Sequence, residues 1–405
     1  MAVVQDMLVE PNSPLPRLTR IIEVPVFESD GRLVVAPGYQ PASGIYYDPA
    51  PGFLVPDIPE HPSRRDLITA RRLLRDELLG NFPFVTEADR AHAIAMPLLP
   101  FARSLVTGPT PLHLIEKPTP GTGGTLLAQI AAVPALGRPA PTMTEGADDA
   151  DWGKRITAKL LEGPAVILID NVRRRLESAA LAMALTATVY EDRLLGESRI
   201  VQIPVHATWI ATGNNPVLSD EIARRSVRIR LDAEMERPWE RTGFRHPDLR
   251  AWATERRGDL VWACCVLVRG WLQADRPPNS EIIGMFESWS NVIGGILNHA
   301  GVPGFLANRQ AFLEEDVSES AAWRFFLRRW WETFGSRGVS VQDLYTIVSR
   351  EGIPLELTGR DEHAQRTSLG MRLRQQRDRH YGSFGIRWVG SRHGAQYWRI
   401  TRERG

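Results

Sequence analysis

A glycine-rich turn between an apolar strand and a helix is the stretch of this sequence best suited to phosphate chemistry. It reads Pro118-Thr-Pro-Gly-Thr-Gly-Gly-Thr125 and follows a short strand predicted at His113-Leu-Ile. Glycines let backbone N–H groups turn toward a phosphate, and the N-terminal end of the next helix adds a positive partial charge. Thr125 is also placed to reach a Mg²⁺ ion. The residues expected to bind a nucleotide are Gly121, Thr122, Gly123, Gly124 and Thr125.

This turn departs from the phosphate-binding pattern G-x-x-x-x-G-K-[ST] at two positions. Gly123 and Thr125 match the pattern, whereas Pro118 replaces the first glycine and Gly124 replaces the lysine. A glycine-rich strand-to-helix turn in some other α/β fold is therefore the competing interpretation. Lys117 precedes the turn and is a candidate substitute for the missing cation, although it is expected to point away from the phosphates. On that basis, a Gly124→Lys substitution should tighten ATP binding by restoring the missing cation.

Polar residues after two further apolar strands strengthen the case for a nucleotide site. Ala165-Val-Ile-Leu-Ile is followed by Asp170 and Asn171, where an acid that holds Mg²⁺ is expected. A strand at Val205–Ala211 is followed by Asn214, whose amide is suited to orient a water molecule or to contact the γ-phosphate. Two arginines come shortly afterwards. The predicted catalytic residues are Asp170, Asn171, Asn214, Arg224 and Arg225, and the predicted metal ligands are Thr125 and Asp170.

The elements that must position these residues alternate between buried strands and helices from Pro111 to Leu231. Such alternation is typical of an α/β fold with a parallel sheet. The predicted organisation is an irregular β-rich segment at 1–62, a helical segment at 63–110, the α/β core at 111–246, a helical region at 247–315 and a C-terminal domain at 316–405.

The stretch from Pro118 to Asp232 resembles the core of an AAA+ P-loop ATPase. Pro120-Gly-Thr-Gly-Gly-Thr is similar to the P-G-T-G-K-T of that family, and Ala211-Thr-Gly-Asn-Asn-Pro is similar to its sensor strand. The match is closest to the MoxR-type and minichromosome-maintenance-like groups. The wider chain, with Phe82-Pro-Phe, resembles the helicase-like ATPases of phages, plasmids and other integrated elements.

This resemblance implies ATP and Mg²⁺ as cofactors, a helical lid at 247–315 and a homo-oligomeric ring, with a hexamer as the expected size. It also implies an arginine finger at Arg224 or Arg225 and a pore-facing hairpin at Glu191–Gly196. Two family residues are missing, the loop lysine and the glutamate after Asp170. Because charge-assisted hydrogen bonds contribute about 1.5–3 kcal/mol each, weaker binding and slower hydrolysis are expected. Glu145 and Glu191 are the candidates to replace the missing base.

The C-terminal end of the chain is strongly basic. Residues 366–405 hold ten arginines against two acids, a net charge of +8, while the whole chain carries +1. Three helices followed by strands at Ile386–Val389 and Gln396–Ile400 predict a winged helix. A helix at Thr367–His380 would present its arginines to DNA, with Trp388 and Trp398 packing beneath the wing. The predicted DNA-binding residues are Arg372, Arg374, Arg377, Arg379, Arg387 and Arg392. A protein-contact module is the alternative.

Composition narrows the class of protein. No apolar run reaches the roughly 18 residues of a membrane span, and the N-terminus lacks the basic and apolar regions of a signal peptide. The two cysteines, Cys264 and Cys265, are adjacent and are expected to be buried reduced thiols of a cytoplasmic protein that has no membrane partner.

Two functions therefore compete at this point. The first is an ATP-dependent DNA helicase or DNA-remodelling AAA+ ATPase in mobile-element replication, for which a primase or another replication protein is a candidate partner. The second is a catalytically impaired pseudo-ATPase that acts as a DNA-bound scaffold. The missing lysine and glutamate favour the scaffold, whereas Asn214, Arg224 and Arg225 favour the ATPase.

Overall fold

The computed structural model describes Pro16 and residues 18–194, 196, 198–315, 318–355, 357–381, 383–392 and 395–402. The chain divides into two compact units, Met1–Phe312 and Leu313–Gly405. Each unit has its own apolar core among the described residues.

A parallel sheet of five strands forms the centre of the first unit. Its strands are β6 (Leu112–Lys117), β7 (Thr142–Met143), β8 (Val166–Val172), β11 (Thr208–Asn214) and β12 (Ser226–Arg230). They follow the order β12-β6-β11-β8-β7 across the sheet, and every neighbouring pair is parallel. Since the carboxyl ends of parallel strands meet at one edge, this sheet brings the residues at the ends of β6, β8 and β11 together. The predicted parallel sheet is confirmed.

The first two helices of this unit begin at capping residues that the sequence provides. Ser63 and Thr86 each form a capping box, with Asp66 and Asp89 respectively. The helix that begins after Ser63 continues as a π-helical turn at Leu73–Leu78, and the one that begins after Thr86 ends in a 3₁₀ turn at Arg103–Leu105. The helices of this unit are α1 (Arg64–Arg72), α2 (Glu87–Ala102), α3 (Gly124–Leu136), α4 (Asp149–Leu161), α5 (Ala179–Thr186), α6 (Asp220–Ala223), α7 (Leu249–Glu255), α8 (Arg257–Gln273) and α9 (Glu287–His299). A further helix, α10 (Arg309–Glu315), begins in this unit and ends beyond its last residue, Phe312.

Short strands make up the N-terminal segment and a separate hairpin. In the segment, β1 (Arg20–Ile22) pairs with β5 (Ile45–Tyr47), which also pairs with β4 (Gly38–Gln40), while β2 (Val26–Phe27) pairs with β3 (Leu33–Val34). The hairpin consists of β9 (Val189–Arg193) and β10 (Ile200–Pro204). It covers the position where the sequence predicts a pore-facing hairpin, although Leu195 and Glu197 lie outside the described residues.

The second unit combines three helices with an antiparallel sheet. Its elements follow in the order α11 (Ser318–Phe334), β13 (Val339–Ser340), α12 (Val341–Glu351), α13 (Glu362–Gln375), β14 (His380–Tyr381), β15 (Phe384–Arg392) and β16 (Ala395–Arg402). The sheet order is β13-β16-β15-β14. Both long strands extend beyond their predicted bounds because alternating arginine and apolar residues keep one face buried, as at Ile386 and Ile400.

Two further predictions concern the state of the cysteines and the presence of membrane-spanning helices. Cys264 and Cys265 are unpaired and fully buried in α8, and burial raises the pKa of both thiols, as expected for reduced structural cysteines. Within the ranges given above, the helices are all too short or too polar to cross a lipid bilayer.

Candidate nucleotide-binding site

The glycine-rich turn forms a tight loop at the start of α3. Gly121 and Gly123 have φ angles of 85° and 102°, in the left-handed region that L side chains rarely adopt. Gly123 is the N-cap of α3, and the Thr122 hydroxyl donates a hydrogen bond to the Thr119 carbonyl at 2.7 Å. The glycines therefore permit the left-handed backbone of this loop. The first N–H groups of α3 lie next to the loop, where an anion site needs hydrogen-bond donors.

Two threonine hydroxyls converge on one carboxylate oxygen beside the loop. Thr125 Oγ1, from the first turn of α3, donates to Asp170 Oδ1 at 2.8 Å, and Thr212 Oγ1 donates to the same atom at 2.7 Å. The backbone N–H of Asn171 in turn donates to Thr212 Oγ1 at 3.0 Å. This network fixes the carboxylate of Asp170 against the helix that begins at the loop. The two predicted metal ligands, Thr125 and Asp170, are thus in direct contact.

These oxygens fit Mg²⁺. The ion usually keeps several waters and takes one or two protein oxygens together with substrate phosphates. A hydroxyl and a carboxylate 2.8 Å apart supply that number of ligands. No cluster of three or more histidine, cysteine or acidic side chains suited to hold a metal occurs among the residues described, which is compatible with an ion that phosphates help to bind.

Lys117 points into the loop. It is the last residue of β6 and only 7% exposed, and a Cβ atom added to Gly124 would lie 3.1 Å from Lys117 Nζ. Burial lowers the pKa of its ammonium group, while the carboxylate of Asp170 opposes that shift. The expectation that Lys117 points away from this loop was wrong.

The side chains of Asn171 and Asn214 have different surroundings. Asn214 is exposed at the end of β11 and is the register partner of Lys117, and the next residue donates its N–H to the Lys117 carbonyl at 3.0 Å. Asn171 has a left-handed φ of 60°. In the amide orientation that satisfies both groups, its side-chain oxygen accepts from Arg173 at 3.0 and 3.1 Å. Asn214 therefore lies at the same edge as Lys117, whereas the Asn171 side chain is engaged by an arginine.

The two candidate finger arginines differ sharply in exposure. The Arg225 side chain is 8% exposed, donates to the Glu221 carbonyl at 2.7 Å and forms an ion pair with the Glu221 carboxylate at 3.1 Å. The Arg224 side chain is 57% exposed, and its distance to the same carboxylate is 3.8 Å. Arg225 is held within its own subunit, while Arg224 faces solvent.

Both acids considered as replacements for the missing base make other contacts. Glu145 Oε2 accepts from the backbone N–H groups of Arg173 and Arg174 at 3.0 and 3.2 Å, so it orders the chain after β8. Glu191 Oε2 accepts from Gln202 Nε2 at 2.9 Å across the hairpin. These contacts give each carboxylate a role in local structure.

An exposed tryptophan next to the loop was missed by sequence reasoning. Trp239 is 62% exposed, and a Cβ atom added to Gly121 would lie 3.0 Å from its ring atom Cε3. A Cβ atom added to Gly123 would lie 3.5 Å from Phe82 Cε1. No motif spacing pointed to Trp239, because it lies far along the chain in a short 3₁₀ turn at Pro238–Glu240.

In the second unit, the helix that corresponds to the predicted recognition helix lies five residues earlier in the chain, at Glu362–Gln375 instead of Thr367–His380. Helix α13 ends at Gln375, and the left-handed φ of 63° at Asp378 turns the chain toward β14. Leu369 and Leu373 are buried as predicted. Of the predicted DNA-binding arginines, Arg372 and Arg374 lie on α13, Arg377 and Arg379 lie in the following turn, and Arg387 lies on β15. The side chain of Arg392 lies outside the described residues.

Several of these arginines make local contacts. Arg377 stacks on the Trp388 ring at 5.2 Å, and Arg374 Nε donates to Gln396 Oε1 at 3.3 Å. Arg387 is paired with Asp378 at 3.0 Å. Trp398 is buried as expected, but Trp388 is 44% exposed, so the prediction that it packs beneath the sheet was wrong. An arginine-aromatic surface results, made of Arg374, Arg377 and Trp388.

Comparison with known proteins finds solved structures of low sequence identity and low structural similarity. No protein-family model and no curated protein matches the chain. Among solved structures, the chain is similar to the apo C-terminal region of NrS-1, with 11% identity over 100% of this chain and 90% of that one and a TM-score of 0.44. It is also similar to SCCmec type IV Cch, described as an active helicase, with 12% identity over 99% of this chain and 82% of that one and a TM-score of 0.41. At TM-scores this low, the likenesses establish neither the fold nor the activity of this chain.

Proposed function

We propose that the first unit binds and hydrolyses ATP as an AAA+ P-loop ATPase, and that the chain uses this activity to remodel or unwind DNA in mobile-element replication. The observation that carries the proposal is the contact between the first turn of α3 and the end of β8. There the hydroxyl of Thr125 and the carboxylate of Asp170 meet beside a glycine loop. This is the combination of groups that holds a nucleotide triphosphate together with its metal ion.

Each group then has a role that follows from its position. Backbone N–H groups of Gly121–Thr125 bind phosphate oxygens, and Thr125 and Asp170 hold Mg²⁺. When bound, the ion neutralises charge on the β- and γ-phosphates. Asn214 is exposed at the same edge of the sheet, so its amide is placed to orient the attacking water. Hydrolysis is expected to be slow because Asn171, which is engaged by Arg173, supplies no carboxylate base.

The DNA-binding part of the proposal rests on the second unit. Its helices and antiparallel sheet occur in the order of a winged helix, and its arginine-aromatic surface of Arg374, Arg377 and Trp388 suits a phosphate backbone and bases. A homo-oligomeric ring, a hexamer in the simplest case, would let Arg224 reach the site of a neighbouring subunit. A primase or another replication protein is a further proposed partner.

Replacement of Asp170 by asparagine tests the proposed function. The amide still accepts hydrogen bonds from Thr125 and Thr212 but loses the negative charge that holds Mg²⁺. We expect ATP turnover to fall to background, and Mg²⁺ no longer to tighten ATP binding. Steady-state phosphate release with and without DNA, together with ATP titrations in Mg²⁺ or EDTA, measures both effects. The exposed Asp57, changed to alanine, is the matched control and should behave like wild type.

Two results would count against the proposal. Turnover that persists in Asp170→Asn would come from a contaminant or from another site. A wild-type chain that binds ATP·Mg²⁺ without any turnover would favour the alternative function, a catalytically impaired scaffold bound to DNA.

A further inference from the structure

The glycine loop lacks a cation of its own, yet the ammonium group of a largely buried lysine lies against it. Lys117 is more than nine-tenths buried, and its side chain runs along Gly124, the position at which P-loop proteins carry their lysine. We propose that Lys117 supplies the missing phosphate-binding cation from the end of β6, in place of a lysine on α3. This inference rests on the proposed nucleotide site and names a residue that the family pattern does not assign.

Gly124 and Lys117 form a single arrangement. A Cβ atom at position 124 would lie 3.1 Å from Lys117 Nζ, 3.2 Å from Lys117 Cδ and 3.3 Å from Ile115 Cγ2. Carbon contacts are normally about 3.5–4.0 Å, so a side chain at this position would require Lys117 and Ile115 to move by a few tenths of an ångström. Glycine at 124 therefore lets Lys117 lie against the start of α3 without crowding.

The surroundings of Lys117 favour an anionic ligand. Among the described residues, Lys117 Nζ has no hydrogen-bond acceptor and no ion pair within 4.0 Å. Burial lowers the pKa of the ammonium, and the carboxylate of Asp170 is the charge that acts against this effect. A buried cation without a close partner is costly, and a phosphate at the loop would compensate it.

The position at the strand end also sets which phosphates are reached. Lys117 is in register with Asn214 and interacts electrostatically with Asp170, so its amine lies on the side of the loop where the metal ligands are. A metal ion held by Thr125 and Asp170 would neutralise charge on the β- and γ-phosphates. Lys117 should therefore contribute to ATP binding and very little to the binding of AMP.

Substitution of Lys117 by methionine is the direct test, because methionine keeps an unbranched side chain that fills the space beside Gly124. In the full-length chain with Mg²⁺, ATP affinity should fall about 10- to 100-fold, the loss of one charge-assisted hydrogen bond or slightly more. AMP affinity should stay unchanged. The chain has two other lysines, and the exposed Lys154, changed to methionine, is the control.

Relocating the lysine provides a second arm. Gly124→Lys alone should fail to tighten ATP binding, in contrast to the expectation from sequence, because Lys117 occupies the space. The double variant Lys117→Ala with Gly124→Lys should recover much of the affinity that Lys117→Ala loses. Tighter binding by Gly124→Lys alone would overturn the inference.

A measurement on the wild-type chain avoids the risk that a variant misfolds. Amine acetylation followed by mass spectrometry should show that ATP·Mg²⁺ protects Lys117, and that Lys154 and Lys159 react as before. Unchanged reactivity of Lys117 at saturating ATP overturns the inference. If Lys117→Met binds ATP normally while Asp170→Asn does not, the inference fails and the proposed function stands. If the wild-type chain does not bind ATP·Mg²⁺, both fail.

Discussion

Replacement of Arg224 by alanine is expected to lower ATP turnover by about 10³- to 10⁵-fold, the range that arginine fingers contribute in P-loop enzymes. The Arg224 side chain is 57% exposed, and its Nη2 atom lies 3.8 Å from Glu221 Oε1. Reaching a neighbouring subunit would therefore break only a weak, solvent-exposed ion pair within its own chain. Such a finger stabilises charge that develops on the transferred phosphoryl group. ATP affinity should change much less than turnover. Phosphate release at saturating ATP, with Arg138→Ala as an exposed-arginine control, measures the effect.

The neighbouring arginine should behave differently. Arg225 is buried and held by both the carbonyl and the carboxylate of Glu221, so Arg225→Ala should lower the melting temperature. A mixture of Asp170→Asn and Arg224→Ala chains should recover part of the activity, because some interfaces then combine an intact Asp170 with an intact Arg224. A strictly monomeric chain with normal turnover, or an Arg224→Ala chain as active as wild type, would exclude a finger that acts between subunits.

DNA affinity is expected to fall by about 10³- to 10⁵-fold between 50 and 200 mM salt if the basic tail makes six to ten phosphate contacts. Residues 366–405 carry a net charge of +8, and this charge is the reason for expecting about that number of phosphate contacts. Fluorescence anisotropy of the full-length chain with a short duplex across a salt series measures it. A protein-contact module predicts no salt-dependent DNA binding at all.

Variants of the arginine-aromatic surface refine this expectation. Arg374→Ala and Arg377→Ala should each reduce the slope of log affinity against log salt by about 0.9, if each contacts one phosphate. Arg387 is already paired with Asp378, so Arg387→Ala should have a smaller effect. The exposed Arg360, in the loop before α13, is the matched control. Unchanged slopes in both variants would remove this surface from the DNA interface.

Sequence reasoning located the residues of the proposed nucleotide site because its signals are local. Apolar strands that end in Asp170 and Asn214 predict a parallel sheet, and parallel strands must present those ends at one edge. Strand β12 was missed because Arg228 and Arg230 interrupt its apolar residues, although Arg228 is buried and Arg230 is only partly exposed. Such burial depends on partners from elsewhere in the chain, and no short window of sequence shows them.

The direction of Lys117 illustrates the same limit. Side chains two residues apart share one face of a strand, so Lys117 must point to the same side as Ile115. Every residue of β6 is buried, so the sequence does not distinguish the two faces of this strand. The sequence alone therefore could not predict which face α3 covers. In the second unit, the end of α13 and the exposure of Trp388 depend on a left-handed Asp378 and on an arginine contact that are likewise not local patterns.

The close approach of Lys117 to Gly124 has an evolutionary consequence. Because a side chain at 124 and the lysine at 117 would crowd each other between β6 and α3, the two positions are expected to covary in chains that share this loop. A lineage that acquires lysine at 124 should lose it at 117, and an intermediate with both or with neither should be disfavoured. The pair would then mark an ancestral branch point at which the cation moved from the helix to the strand, or in the opposite direction.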